Sequence, residues 1–253
     1  MTTNTQEAPA PQADSAVGPT VLQRWRAARW VLWALVVIVG VATLTTYLTA
    51  PRPGGPMEPT STSPDGALAL VTLLRDHGVE VVEANDVDAV QRAARPDTLI
   101  AVVQTFSQLD DKVLRRLGDL PGDRLLVAPV SRTREALAPR IQVANAVRFG
   151  DGTPDCDLRE ATRAGQVEFG LSDAFEGAGD TPVTRCYGGA LVRYSDDGRD
   201  VTVVGSAGFM SNSGLLEQGN AALAMNLAGT NPRVIWYAPQ KHEGESDAGA
   251  SPS

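Results

Sequence analysis

The sequence predicts an α/β domain with a mostly parallel sheet covered by helices on both faces, preceded by one membrane-spanning helix. Three observations carry this. Short apolar runs alternate with helical patterns from residue 61 to 239. One uncharged run of 21 residues, Trp30 to Ala50, stands near the N-terminus. Aromatics make up only 5% of a chain that is 43% apolar, so Ala, Val, Leu and Gly must fill the core.

The segment WVLWALVVIVGVATLTTYLTA (30–50) is long enough for a hydrocarbon layer of about 30 Å at about 1.5 Å per residue. Trp30, Trp33 and Tyr47 lie near its ends, where amphipathic rings favour the interface. A cleaved signal peptide is the rival reading. Ala50 suits a cleavage site, but Leu48 is bulky and Pro51 follows the cut, so an uncleaved anchor over 24–50 is expected. Arg24, Arg26 and Arg29 flank its N-terminal side, which places residues 1–23 in the cytoplasm and the large C-terminal portion outside. Residues 1–23 are rich in Ala, Pro, Thr and Gln and are expected to be disordered, as is the polar stretch 240–253.

The net charge of -8 is uneven. Three arginines and two acids precede residue 51, which leaves 19 basic and 28 acidic residues to the remainder, a net of -9. Such a domain repels phosphate backbones, so nucleic-acid binding is not expected.

Residues 51–60 (PRPGGPMEPT) read as a Pro/Gly linker. Ser63-Pro64-Asp65 reads as a helix start, with Ser63 as cap. Ala67, Leu70, Val71 and Leu74 follow at helical spacing, and His77 and Gly78 close the helix. Val79–Val82 is the first strand and Asp86–Ala94 a short helix. Leu99–Val103 is a continuous apolar run, as a strand buried on both faces requires. Ser107–Leu117 is a helix, Leu125–Ala128 a strand, Arg132–Leu137 a helix and Gln142–Val147 a strand. Residues 150–185 have a weak core signal. Ala190–Tyr194 and Val201–Val204, joined through Asp197-Gly198, form a hairpin. Gly214–Ala228 is a helix and Val234–Tyr237 the last strand.

Cys156 and Cys186 are the two cysteines, both in the outer portion. An even count in an oxidising compartment suggests a disulfide, with two separate buried thiols as the alternative. His77 and His242 have no ligand spacing with either cysteine, so no metal site and no cofactor are expected.

In open α/β sheets ligands bind at the carboxyl ends of the strands. The loops there supply the binding candidates Thr105, Ser131, Gly205, Ser206 and Asn212, and Glu217 joins them from a neighbouring face of the helix that follows. None carries a complete catalytic set. Around Ser206 the chain reads Gly205-Ser206-Ala207-Gly208, not the G-x-S-x-G of a serine elbow, and the domain's one histidine, His77, sits at a helix end. The small residues after the strand allow a tight turn or a backbone approach to a ligand. Asn220 falls on the apolar stripe Leu216, Leu223, Leu227; it reads either as a latch to the 205–212 loop or as a ligand contact. An unusual hydrolase or transferase would draw on Ser206, Asn212 and Glu217. A solute sensor is a third option, which the short inner tail disfavours.

The stretches SPDGALALVTLLRDHGVEV, Cys156-Asp157-Leu158, Cys186-Tyr187-Gly188-Gly189, VTVVGSAGFMSN, EQGNAALAMNLAG and RVIWYAP, in this order, cover most of 61–238. In these the chain resembles a bacterial family of unknown function: membrane-anchored proteins with a domain similar to class I glutamine amidotransferases. The resemblance implies a flavodoxin-like three-layer sandwich without the amidotransferase nucleophile. The loop Pro129-Val130-Ser131 indeed carries no cysteine. Related domains in auxiliary proteins of gliding-motility transporters and in intraflagellar transport look like non-catalytic binding modules. Members are often encoded near MoxR-type ATPases, which implies an envelope protein partner and a role in envelope complex assembly. They often continue into a second transmembrane segment, whereas this sequence runs into KHEGESDAGASPS.

Overall fold

The structure is a computed structural model that describes residues 33–41, 54–103, 109–144 and 151–240. It divides into two units, 1–51 and 52–253. In the first, residues 33–41 form a helix, α1, with Trp33, Leu35 and Ile38 exposed. Among the described residues no helix is long and apolar enough to cross a membrane. The remainder of 30–50 and both tails lie outside the described residues, apart from Gln240.

The second unit is built on a seven-stranded sheet. Its parallel strands are β1 (Glu80–Ala84), β2 (Thr98–Val103), β3 (Asp123–Val127), β10 (Arg199–Val204) and β11 (Arg233–Tyr237). Strands β9 (Leu191–Asp196) and β8 (Thr184–Cys186) extend it antiparallel, in the order β1-β11-β2-β3-β10-β9-β8. The expected hairpin is β9–β10, and its Asp197 and Gly198 both have positive φ (49° and 77°), as a primed two-residue turn requires. Two small ribbons lie outside the sheet. One pairs β4 (Ile141–Val143) with β7 (Phe175–Gly177); the other pairs β5 (Asp151–Gly152) with β6 (Val167–Glu168).

Helices cover both faces, so the expectation of a mixed α/β domain on a mostly parallel sheet is met. Alternate residues of one strand serve opposite layers. Leu99, Ala101 and Val103 of β2 join Val234 and Trp236 under α2 (Leu68–Asp76), α6 (Arg159–Ala164) and α7 (Asn220–Ala228). Ile100 and Val102 join Ile235 and Tyr237 under α3 (Val87–Ala93), α4 (Asp111–Gly118) and α5 (Ser131–Leu137).

The strand order explains where a site can form. The chain advances from β1 to β2 through α3 and from β2 to β3 through α4, and leaves β3 through α5, all on one face; it reaches β10 only after the two ribbons, α6, β8 and β9. It then returns from β10 through α7 on the other face and inserts β11 between β1 and β2. Reversing both direction and face keeps the α3, α4 and α7 crossovers the same hand. The neighbours β3 and β10 therefore send their chains to opposite faces, which opens a crevice between their carboxyl ends.

Two local readings are corrected. The helix begins at Leu68, not at Ser63, and Ala67 offers no side-chain cap. The cap comes from 143 residues away, because Asn212 Oδ1 accepts from the Ala69 amide at 2.8 Å. The predicted helix 214–228 is a 3-10 turn (Gly214–Leu216) followed by α7, since Gln218 takes a positive φ of 33° between them. The Pro/Gly stretch also does more than connect. From residue 54 it packs on the domain: Met57 is buried, its amide donates to Asp65 O (2.7 Å), and its carbonyl accepts the Trp236 indole N–H (2.9 Å).

Cys156 and Cys186 form the disulfide. It ties the loop before α6 to the edge strand β8. The next residue, Tyr187, is buried, packs edge-on against Phe169 at 5.1 Å, and directs its hydroxyl to the carbonyls of Ala161 (3.1 Å) and Gly165 (3.0 Å). Burial pushes its phenol up to about 12. The neutral phenol is the form the fold favours, so this contribution is complete below the unfolded value of about 10 and is lost as pH rises toward 12. The expected result is a steeper fall in stability between about pH 10 and 12 for the native chain than for Tyr187→Phe, read by denaturant midpoints.

Candidate functional site

The crevice between β3 and β10 is the place where the chemistry of this domain would sit. On the β3 side, Val127 is followed by Ala128 with φ 47°, a left-handed conformation that is uncommon for a residue with a Cβ. Its amide donates to Val204 O at 2.8 Å, which fixes the turn against β10. Pro129 and Val130 then lead into α5. A strand, a strained single residue and a helix are the backbone of a nucleophile elbow, which lifts one side chain above the sheet edge. In this chain that residue is alanine. The residue after it, whose N–H would be an oxyanion donor in such an elbow, is proline and has none.

On the β10 side, Gly205 donates to Ala190 O (2.9 Å) and accepts from the Asp173 amide (3.2 Å). A Cβ there would stand 1.9 Å from Asp173 O and 2.6 Å from Ser172 Oγ. Glycine is thus required for close approach of two backbones. Gly205→Ala is expected to cost about 1–3 kcal/mol by overpacking, read as a lowered denaturation midpoint. Ser206 is buried; its hydroxyl donates to Phe169 O (2.8 Å) and accepts from the Gly208 amide (3.1 Å). Ser211 donates to Gly208 O (2.8 Å) and accepts from the Gly214 amide (3.1 Å).

The third wall is the N-terminal stretch. Asn212 Nδ2 holds it by donating to Ser61 O (2.9 Å) and Ser63 O (2.6 Å). Together these parts enclose a cavity of about 500 Å³, lined by Pro56, Met57, Asp65, Ala128, Leu171, the turn Gly205–Gly208, Ser211 and Ser213. That volume is in the range of small-ligand sites. Among the described residues, its lining contains no Lys, Arg or His.

The sequence-derived candidates separate on this geometry. Gly205 and Ser206 line the crevice; Asn212 stands behind it as the tie just described. Ser131 is exposed in the first turn of α5 and is not in the lining. Glu217 is exposed beyond the second 3-10 turn and is not in the lining either. Thr105 lies outside the described residues. Asn220 is buried, with its amide spent on Glu168 N (2.8 Å), Glu168 O (2.9 Å) and Gly214 O (2.8 Å). Its latch therefore reaches β6 and the Gly214 turn rather than the 205–212 loop. Among the described residues no hydrogen bond joins the side chains of Ser206, Asn212 and Glu217.

Sequence reasoning missed Met57, Asp65, Ala128 and Leu171. The first two were assigned to a linker and a helix start, and a backbone angle such as that of Ala128 leaves no mark on a residue with a Cβ. Leu171 did leave a signal: an apolar residue in the polar turn Gly170-Leu171-Ser172-Asp173, where it is 62% exposed.

The comparisons agree with a membrane-linked family of unestablished activity. A protein from Mycobacterium tuberculosis (strain ATCC 25618 / H37Rv), named Uncharacterized membrane protein Rv3691, is 55% identical over 230 residues, 91% of this chain. The alignment spans 60% of that protein's length. No solved structure matches. The model of the family described as Domain of unknown function (DUF4350) matches residues 59–228, more than half of the sequence and nearly all of the sheet and its helices, and the chain belongs to that family.

Proposed function

We propose that this is a non-catalytic binding domain that takes an envelope protein, or a small ligand, in the crevice between β3 and β10. The observation that carries the reading is the elbow. Its backbone has the form that displays a nucleophile, but Ala128 has no nucleophilic atom and Pro129 has no N–H to stabilise an oxyanion. The buried hydroxyl of Ser206 on the opposite wall is committed to Phe169 O. What remains is a shaped cavity with a glycine-lined wall.

The domain stands outside the membrane, with 24–50 as an anchor and residues 1–23 in the cytoplasm. The charge-free stretch behind three arginines supports this, as does the relative named a membrane protein. The resemblance to amidotransferase-like domains without a nucleophile, often encoded near MoxR-type ATPases, supports a role in envelope complex assembly.

A photo-cross-linking side chain at Leu171 tests the binding reading in intact membranes. The expected result is a discrete cross-linked product from Leu171 and none from the exposed control Glu217. Equal patterns at both positions would sink it. So would amide or ester turnover that Ser206→Ala abolishes with the fold intact. A periplasmic-type reporter fused after Ser253 is expected to be active outside the cytosol.

A further inference from the structure

The reading of the crevice as a binding site leaves its ligand unnamed, and its lining narrows the chemistry. The serine hydroxyls are turned into the protein: Ser206 bonds Phe169 O, and Ser211 bonds Gly208 O. Ser213 Oγ donates to Pro64 O at 3.0 Å. The cavity thus lacks the fan of free directed donors and acceptors that a sugar or a nucleotide needs for recognition. Its apolar surface comes from Pro56, Met57, Ala128 and Leu171.

One charge faces this surface. Asp65 lines the cavity and is exposed, and its carboxylate has no hydrogen-bond or ion-pair partner among the described residues. Asp173 adds a second exposed acid in the turn that displays Leu171, with its backbone bonded to Gly205. Among the described residues, no basic side chain in the lining balances them. An anionic ligand would meet uncompensated repulsion, while a cation would gain a charge-assisted bond. The outer portion as a whole carries a net of -9, which steers basic segments toward it.

We infer that the crevice between β3 and β10 receives a basic, apolar peptide segment of a partner protein, with an apolar side chain on Leu171 and Pro56 and an ammonium or guanidinium at Asp65. Leu171 is the anchor contact, since an apolar side chain 62% exposed beside a cavity gains by being covered. Asp65 is the selector, because it rejects acidic segments of the same shape.

The test uses the full chain in uncharged detergent micelles and two fluorescein-labelled, end-blocked hexapeptides, Gly-Leu-Lys-Leu-Lys-Gly and Gly-Leu-Glu-Leu-Glu-Gly, read by fluorescence polarisation. The lysine peptide is expected to bind at least about tenfold more tightly, with a preference that shrinks as salt rises. Asp65→Asn is expected to reduce the preference to below about threefold, and Leu171→Ser to weaken the lysine peptide without removing the preference. Among the described residues neither side chain makes a hydrogen bond or ion pair, and both are exposed, so both variants are expected to keep the fold. Equal binding of the two peptides, a preference that survives Asp65→Asn, or no binding of either up to millimolar concentration overturns the inference. Displacement of the lysine peptide by an equal concentration of n-hexylamine also overturns it, in favour of small amines. If Leu171 cross-links a discrete partner while the two peptides bind alike, the crevice remains a binding site and only its charge assignment falls.

Discussion

Asn220→Ala is expected to lower the unfolding free energy by about 3 kcal/mol, among the largest effects of any single side-chain change in this domain. The side chain is 1% exposed at the start of α7. Its amide behaves like a short strand, accepting from Glu168 N and donating to Glu168 O, while a third bond closes the Gly214 turn. Alanine leaves one N–H and two carbonyls in part-buried surroundings without this partner, and each such orphan costs up to about 1–3 kcal/mol where water cannot reach it. The sum is discounted because a water can enter the space the amide vacates. Asn220→Asp should be no better, since a carboxylate offers acceptors to two carbonyls that need donors. Denaturant midpoints of the full chain check the magnitude. Hydrogen exchange at Glu168 and Gly219 checks the location. A change below about 0.5 kcal/mol would mean that the latch is not made.

Removing the disulfide is the second large effect. The bridge closes a loop with a separation of 30 residues, which in the chain-entropy model stabilises the fold by roughly 3–4 kcal/mol. The local consequences add to this. Cys186 is fully buried beside Tyr187, whose amide donates to Pro154 O at 2.9 Å. Without the bridge, the loop before α6 keeps that bond to the residue after β8, while the Tyr187 hydroxyl ties the same residue to the body and end of α6. Because Tyr187 packs on Phe169, whose carbonyl holds Ser206, the crevice wall should loosen as well. The double variant Cys156→Ala, Cys186→Ala is expected to show the lower midpoint, with faster proteolysis between residues 152 and 186. A reducing agent added to the native chain should reproduce it. An unchanged midpoint under reduction would show that the bridge does not contribute.

Much of the layered fold was legible because its signals are local. Leu99–Val103 is apolar at every position, and only a strand covered on both faces requires that. Asp197-Gly198 announced the hairpin because few residue pairs adopt two positive φ angles in succession. Gly78 closed the first helix for the same reason, with a φ of 84°. Asn220 stood out as a polar residue on an apolar stripe. The cysteines were a pair by count.

The site was less legible because its determinants are distant in sequence. Asp65 and Leu171 face one cavity across more than a hundred residues, and no periodicity relates them. The cap of α2 was assigned to Ser63, a residue of the right type in the right place. Asn212 took the role because the 205–214 loop is pinned against that helix end, and its amide bonds three backbone groups there at once.

By itself the sequence determined the class of fold, the apolar segment near the N-terminus and the cysteine pair. These depend on residue type and short-range spacing. Only the tertiary structure decided that β11 inserts between β1 and β2, that the direction of winding reverses between β3 and β10, and that Ala128 occupies a strained elbow at that point. Strand order follows from which crossovers share a hand and which faces can be buried together, and that is a property of the whole chain.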